Sequence, residues 1–452
     1  MGIEERIKGL RGDLLEELKE FLRMPSISAR EEDDSGFCRC AEWVRDRLTE
    51  AGAEATIMET EGHPVVYAEV GGRGEAQERT LLSYGHYDVQ PPEPLELWES
   101  DPFEPAVRGG SLYARGVADD KGDVMARIQA LRLYQEEHGP LSLRLRFLIE
   151  GEEEVGSPSL PGFVRENGEL LSADACLWEG SMKDESGRPM IFCGTKGLLY
   201  VELRAEGASY DLHSMYGGIA PNPAWRLVQA LRTIKDENGE LTLDGLEDLI
   251  VPPEKEDLEA ISEIPFDDAT LKSSWGVGSF DRDLSGEEAL REMLLRPTAN
   301  IAGIESGYTG PGSKTIVPSR AFVKMDFRLV PGQSPEDVLD LLREHLERRG
   351  FSDIEVMNLH GVEAAKTPVS SPVVRTATEA WRAVGEEAIV YPSIGGSGPT
   401  SLVATGLGIP TIMSGAVMNR ESRIHAPNES VRLDDYFETI SYFASFFKRF
   451  AP

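Results

Sequence analysis

The 452-residue chain carries 79 Asp and Glu against 46 Lys and Arg, a formal net charge of −33, which excludes nucleic acid and anionic membrane as partners. Its 40% hydrophobic and 28% charged content fits a soluble globular protein, and no apolar run approaches the ~20 residues that span a bilayer. The length is too great for one ordinary core, so two domains are expected.

The N-terminal residues 4–22 form a charged amphipathic helix pattern rather than a secretory signal, and Arg6 stands where myristoylation of Gly2 needs Ser or Thr. A cytoplasmic location is therefore expected. A second helix pattern covers 38–51, followed by β-type runs at 54–59, 65–70, 80–84 and 111–115. The amphipathic stretch Lys121 to His138 reads as a helix, 141–151 as an alternating strand and 174–178 as another. This order argues for an α/β sandwich with a mixed sheet, a fold whose functional groups gather at the carboxyl ends of strands.

The texture changes near residue 196. An alternating strand at 197–207 and a helix at 222–234 precede a long acidic, turn-rich stretch, 236–290, without strong periodicity. The run TIVPSRAFVKMDFRLVPG reads as two short strands, and the helix pattern SPEDVLDLLREHLERRG comes after it. The α/β texture resumes near 366, with a helix at 371–384, strands near 388 and 411, and a last helix at 434–449. The expected organisation is a catalytic domain in two parts, 1–195 and 366–452, interrupted by an inserted α+β domain at 196–365. The four cysteines, Cys38, Cys40, Cys176 and Cys193, read as reduced thiols, none placed like a nucleophile.

Chemistry-bearing residues concentrate at the ends of the predicted strands. His86 and Asp88 lie in GHYDVQP; residues i and i+2 of an extended segment point the same way, so Asp88 can accept the second ring N–H of His86. Asp119 precedes a helix in RGVADDKG, where a carboxylate can cap the helix or bridge two cations. The run Glu152-Glu153-Glu154 follows an apolar strand. Adjacent carboxylates repel when desolvated, so a strand end is a sensible place for them only if cations neutralise the charge. One glutamate can then bind metal while another acts as general base. Glu179 in LWEG and His425 in RIHAPNE complete an inventory suited to two divalent metals.

GHYDVQP, WESDPF, RGVADDKG, EGEEEVGS, DLHSMYGG, KTIVP, FRLVP, GGSGPTS and RIHAPNE occur in that order along essentially the whole chain. Together they resemble the dinuclear-metal exopeptidase family that holds carnosinase, cytosolic non-specific dipeptidase, glutamate carboxypeptidase, acetylornithine deacetylase and succinyl-diaminopimelate desuccinylase. The resemblance is strongest to the dipeptidase and carnosinase branch. It implies one metal held by His86, Asp119 and Glu179 and a second by Asp119, Glu154 and His425, with Asp119 bridging. Glu153 becomes the general base that activates a metal-bridging water, Asp88 orients His86, and Glu152 stands outside the chemistry.

The inserted domain is implied to be a lid that also forms a homodimer. His213 in DLHSMYGG would stabilise the oxyanion in the partner's site. Arg328 would bind the terminal carboxylate of a small peptide substrate, with Thr315 and Ser397 as further contacts. Zinc is the family default, and manganese or cobalt also suits such oxygen-rich ligands. Two positions depart from the dipeptidase pattern: Met215 replaces a glycine after DLHS, and Glu179 stands where that branch has aspartate. The expected activity is hydrolysis of dipeptides. The alternative is an N-acyl amino-acid deacylase or a glutamate-carboxypeptidase-like amidohydrolase on the same site. The remaining histidines, 63, 138, 345 and 360, have no ligand context.

Overall fold

The computed structural model describes residues 2–29, 34–71, 79–180 and 182–451. The chain divides into two compact units, one formed by 1–194, 366–392 and 402–452, the other by 195–365 and 393–401. The second unit thus takes in the GGSGPTS segment as well as the inserted region. Among the described residues no helix is long and apolar enough to cross a membrane.

The first unit is built on an eight-stranded mixed sheet. In spatial order its strands are Glu54–Met58, Val65–Gly71, Arg144–Glu150, Thr80–His86, Ala175–Trp178, Thr411–Ser414, Met190–Phe192 and Ile389–Tyr391. The central four, from Arg144–Glu150 to Thr411–Ser414, run parallel to one another. Such strands are covered on both faces, which explains why Thr80–His86 and Ala175–Trp178 are buried almost throughout. Helices Ile3–Leu22, Lys121–His138, Pro372–Ala383 and Leu433–Phe450 supply much of the cover, and their apolar residues join those of the sheet in one core. Trp381 stacks on Tyr442 at 4.0 Å between ring centroids, and Tyr84 on Trp178 at 3.5 Å.

Helix Lys121–His138 is apolar on no single side; Lys121, Asp123, Arg127 and Gln129 are all buried. Arg127 shows how that is tolerated. Its guanidinium pairs with Asp123 and donates to Ser83 Oγ and to the carbonyl oxygens of Tyr84, Leu177 and Trp178. It therefore ties together the last residues of two parallel strands, immediately before His86 and Glu179.

The second unit holds a four-stranded antiparallel sheet in the order Thr298–Ser306, Arg320–Leu329, Gly197–Glu206, Glu355–Val362. Helices Pro223–Ile234 and Pro335–Arg348 pack on it, each begun by a capping side chain (Asn222 and Ser334) with proline at the first helical turn. Two expectations are corrected here. The turn-rich stretch contains helices Lys255–Glu263, Asp268–Trp275 and, at its end, Gly286–Leu295. The run expected as two short strands is a two-residue strand, Ile316–Val317, and a ten-residue one, Arg320–Leu329.

Arg127→Met should lower unfolding free energy by about 3–5 kcal/mol, because it leaves buried carbonyls and the Asp123 carboxylate without their cation. Chemical denaturation of variant and wild type measures it; a loss below about 1 kcal/mol would contradict this account of the strand ends.

Candidate dinuclear metal centre

Parallel pairing sets His86 opposite Glu150, so the loops that follow the two strands emerge side by side. After Glu150 the chain makes a short turn, Glu153–Val155, that carries Glu153 and Glu154. On the other flank Glu179 directly follows the strand Ala175–Trp178. Asp119 arrives from the loop before helix Lys121–His138, and His425 from the loop before the strand Ser430–Arg432. His425 has a left-handed backbone, φ 62°, an uncommon conformation for a residue with a Cβ.

These five segments converge on Asp119. Its Oδ1 lies 3.1 Å from His86 Nε2 and its Oδ2 3.2 Å from His425 Nε2. His86 Nε2 is also 3.4 Å from Glu179 Oε2, and His425 Nε2 is 3.1 Å from Glu154 Oε2. Each imidazole thus faces one oxygen of Asp119 and one glutamate. The other nitrogen of His86, Nδ1, approaches the carbonyl oxygen and the carboxylate of Asp88 at 3.1 and 3.2 Å. Asp88 in turn accepts the backbone N–H groups of Glu153 and Glu154 at 3.2 and 3.0 Å. One buried aspartate therefore orients the imidazole and fixes the turn that presents both glutamates. Gln90 Nε2 donates to Glu154 Oε2 at 2.9 Å.

The electrostatics follow from crowding carboxylates where water is scarce. Burial pushes Glu153 up to about 7, against the pull of His86 and with repulsion from Asp119 and Glu154. Burial raises Glu179 well above its ordinary value too, opposed by His86 and reinforced by Glu153 and Asp120. Asp119 goes the other way: burial is outweighed by hydrogen bonds from His425 and His86, which hold it well below the usual carboxylate range. His425 is pushed up to about 10 by its bonds to Asp119 and Glu154. His86 is raised despite its burial, by Glu179, Asp119 and Asp88. Carboxylates that hold protons on two imidazoles this strongly are ligands that would hold metal cations in their place.

The residues fit divalent metal. Two groups, His86 with Asp120 and Glu179, and Asp119 with Glu154 and His425, each bring their ligand atoms within 4.8 Å of one another. The buried Oε2 of Glu179 and Oδ1 of Asp120 have no hydrogen-bond partner. One imidazole with carboxylate oxygens is a donor set for zinc, manganese or cobalt.

Asp120 was not singled out by the sequence reading. The run of two aspartates before a helix was its only local signal, and the contact that brings Asp120 in, His86 N to its Oδ2 at 3.3 Å, is non-local. Glu152, outside the chemistry in the family resemblance, has a backbone contact on each side. It is buried and accepts the backbone N–H groups of His63 and Ser159 at 3.1 and 3.2 Å, pinning the loop before the turn Glu153–Val155.

The remaining candidates belong to the second unit, where they fall in two pairs. Arg328, on the strand Arg320–Leu329, donates to Ser397 Oγ at 2.8 Å, and that hydroxyl donates to the Gly197 carbonyl at 3.0 Å. His213 is exposed, and the carbonyl oxygen of exposed Thr315 accepts from Ser214 N at 3.0 Å. Met215, at the position that departs from the dipeptidase pattern, donates its N–H to His213 Nδ1 at 3.1 Å, which leaves Nε2 as the available ring nitrogen. Of the four histidines without ligand context, His345 is buried and structural: its Nδ1 accepts from Asp244 N and its Nε2 meets Thr233 Oγ1.

Comparison with known proteins gives concordant results. The model of "Peptidase family M20/M25/M40" matches residues 82–449. The Beta-Ala-His dipeptidase of Homo sapiens is 30% identical over 403 residues, 86% of this chain and 78% of that protein. The Cys-Gly metallodipeptidase DUG1 of Saccharomyces cerevisiae is 26% identical over 368 residues, 76% and 75% of the two chains. Among solved structures, an M20 family metallo-carboxypeptidase, Sso-CP2 from Sulfolobus solfataricus, superposes with a TM-score of 0.89 at 37% identity, covering 97% of this chain and 99% of that one.

Removing metal with a chelator should lower the melting temperature, and restoring Zn²⁺ or Mn²⁺ should recover it; at a free ion concentration 100-fold above Kd the gain is about 2.7 kcal/mol. The metal-free protein should also lose stability as pH rises. The Glu153 carboxyl binds its proton more tightly folded, at about 7, than unfolded, near 4.5. Its contribution is thus complete below 4.5 and lost as pH rises through about 7. Urea midpoints at pH 5 and pH 7.5 should fall further apart for metal-free wild type than for metal-free Glu153→Gln.

Proposed function

The chain belongs to peptidase family M20/M25/M40, and on that footing we propose that it is a metallo-exopeptidase acting on dipeptides. The observation that carries the reading is the placement of Asp119 between two imidazoles, with Glu153 on a turn whose amides are fixed by Asp88. The ligands would be His86, Asp119 and Glu179 for one ion and Asp119, Glu154 and His425 for the other, Asp119 being shared, with Asp120 close to the first set. Divalent cations in that position polarise a carbonyl oxygen and acidify water.

The chain's own groups then divide the work. Glu153, on the turn whose amides Asp88 fixes, accepts a proton from the attacking water and delivers it to the leaving amine. Asp88 keeps His86 Nε2 directed at Asp119 and Glu179. His213 donates from Nε2 to the oxyanion, the other ring nitrogen being engaged by Met215 N. Arg328, steadied by Ser397, takes the terminal carboxylate of the substrate through its planar fork of donors; Thr315 is a further contact. A cytoplasmic homodimer formed through the second unit completes the proposal, with His213 acting in the partner's site.

A second reading is favoured by two observations. Glu179 replaces the aspartate of the dipeptidase pattern, and a metallo-carboxypeptidase is among the solved structures this chain resembles. A carboxypeptidase or N-acyl amino-acid deacylase tolerates a blocked amino terminus, whereas a dipeptidase needs it free. Hydrolysis of free dipeptides at least tenfold faster than of N-acylated or longer peptides sustains the dipeptidase reading; the reverse order sinks it.

Two substitutions test the roles. Glu153→Ala should lower turnover roughly 10²–10⁴-fold while metal content, measured by mass spectrometry, stays at the wild-type value. Full activity in that variant would end the mechanism. Arg328→Met should cost about 10–100-fold in kcat/KM, the loss of a charged hydrogen bond, and C-terminal amidation of the substrate should then cost almost nothing more.

A further inference from the structure

WESDPF and the end of RIHAPNE stand in the chain beside the proposed ligand motifs, yet none of their residues is needed as a ligand or base. Their contacts give them a task. Glu429 is wholly buried. Its Oε1 accepts the N–H groups of Ala118 and Asp119 at 2.8 and 3.2 Å. Its Oε2 accepts Gly116 N at 2.9 Å and Arg115 Nη1 at 2.7 Å. The loop that carries Asp119 is therefore wrapped around one carboxylate, with charge-assisted bonds from three amides and a guanidinium. Arg115 is itself buried, lies 5.4 Å from the Trp98 ring and donates to the Pro91 carbonyl at 3.3 Å.

Glu429 is only four residues beyond His425. Between them Asn428, left-handed like His425 (φ 63° and 62°), accepts from Glu99 N at 2.9 Å and donates to the Leu97 carbonyl at 2.8 Å. The turn that carries His425 is thus fastened through Asn428 to residues 97–99 and through Glu429 to the backbone of Asp119. His86 and Glu179 have a different support: each terminates or follows a strand of the central sheet. Beneath His425 and Asp119 lies instead a small three-stranded sheet, in which Ser430–Arg432 pairs with Ser111–Tyr113, and the Glu429 carboxylate ties together the two loops that adjoin it.

We propose that Glu429 is a positioning residue of the metal centre, one that sets His425 against Asp119 and thereby governs affinity at the Asp119–Glu154–His425 site in preference to the other. The inference rests on the dinuclear reading above. Glu429→Gln is the sharp test, because an amide keeps the volume but turns two N–H donors toward a ring of N–H donors. Metal-free wild type and variant are titrated with Co²⁺, following the visible absorption and the heat of binding of each ion, alongside thermal unfolding.

The expected result is two ions bound by wild type, and in Glu429→Gln a loss of about 10–100-fold in affinity for one ion, with an altered Co²⁺ spectrum and much less change for the other. Unchanged affinities and spectrum overturn the proposal. So does equal weakening of both sites together with loss of cooperative unfolding, which marks Glu429 as a folding residue only. Should Glu429→Gln fail to fold, Glu429→Asp, which keeps the charge but withdraws it by one methylene, takes its place, and failure of both to fold also overturns the proposal. A wild type that binds fewer than two Co²⁺ ions instead overturns the dinuclear reading, and the proposal falls with it.

Discussion

Repulsion between carboxylates is the constraint on which the first unit is built. Asp88, Asp119, Asp120, Glu153, Glu154 and Glu179 meet around two imidazoles at the edge of a closed apolar core. Two like charges about 4 Å apart repel by about 4 kcal/mol at an effective dielectric of 20, and here several such pairs coexist. Hydrogen bonds soften part of this: Asp88 accepts two amides, and Glu150, just behind, accepts the hydroxyls of Tyr84 and Ser157. The rest is balanced by positive charge. In the metal-free chain it comes from protons retained on His86, His425 and the raised glutamates; divalent cations supply it better.

That balance explains why the scaffold beneath is itself polar. A sheet whose strand ends must hold anions fixed cannot rely on apolar packing alone, since the anions push the ends apart. Arg127 answers this by binding carbonyl oxygens of both Tyr84 and Trp178, two residues before His86 and one before Glu179. Lys121 does the same for the N-terminal helix, donating to the carbonyls of Phe21 and Met24. Both of these cations lie on the helix that follows the Asp119 loop, Lys121–His138, where positive charge also offsets the field of the carboxylates. A net charge of −33 over the whole chain adds a long-range potential that draws cations toward the protein.

Much of the site was legible because its residues mark strand ends, and strand ends are what alternation and apolar runs reveal. His86 closes a buried apolar strand, Glu179 follows another, and the glutamate run follows a third. What was not legible depends on non-local backbone contacts. Glu152 looks like a surface charge beside its neighbours, but its partners are the amides of His63 and Ser159. Asp120 hides behind Asp119, and Glu429 behind His425, for the same reason. In the second unit the three helices between 255 and 295 escaped because each is eight to ten residues long, too short for a 3.6-residue period to stand out from acidic turns. The strand Arg320–Leu329 read short because Pro318 and Pro331 crowd its ends, although its buried residues alternate strictly.

The distribution of these contacts bears on how activity and selectivity can diverge in such a chain. Among the described residues, the groups placed against the imidazoles, Asp88, Asp119, Glu154 and Glu179, all come from the first unit, whose sequence is split by some 170 residues of the second. Within it, Asp88 orients His86 and Glu429 holds the backbone of Asp119. On the proposed roles, a change in the second unit alters which peptide is bound, through Arg328 or the turn at Met215, while the bonds of Asp88 and Glu429 to the first unit's backbone stay as they are. Conversely, on the same roles a change at Glu429 or Asp88 disturbs the groups around the two imidazoles while leaving Arg328 and Ser397 bonded as before.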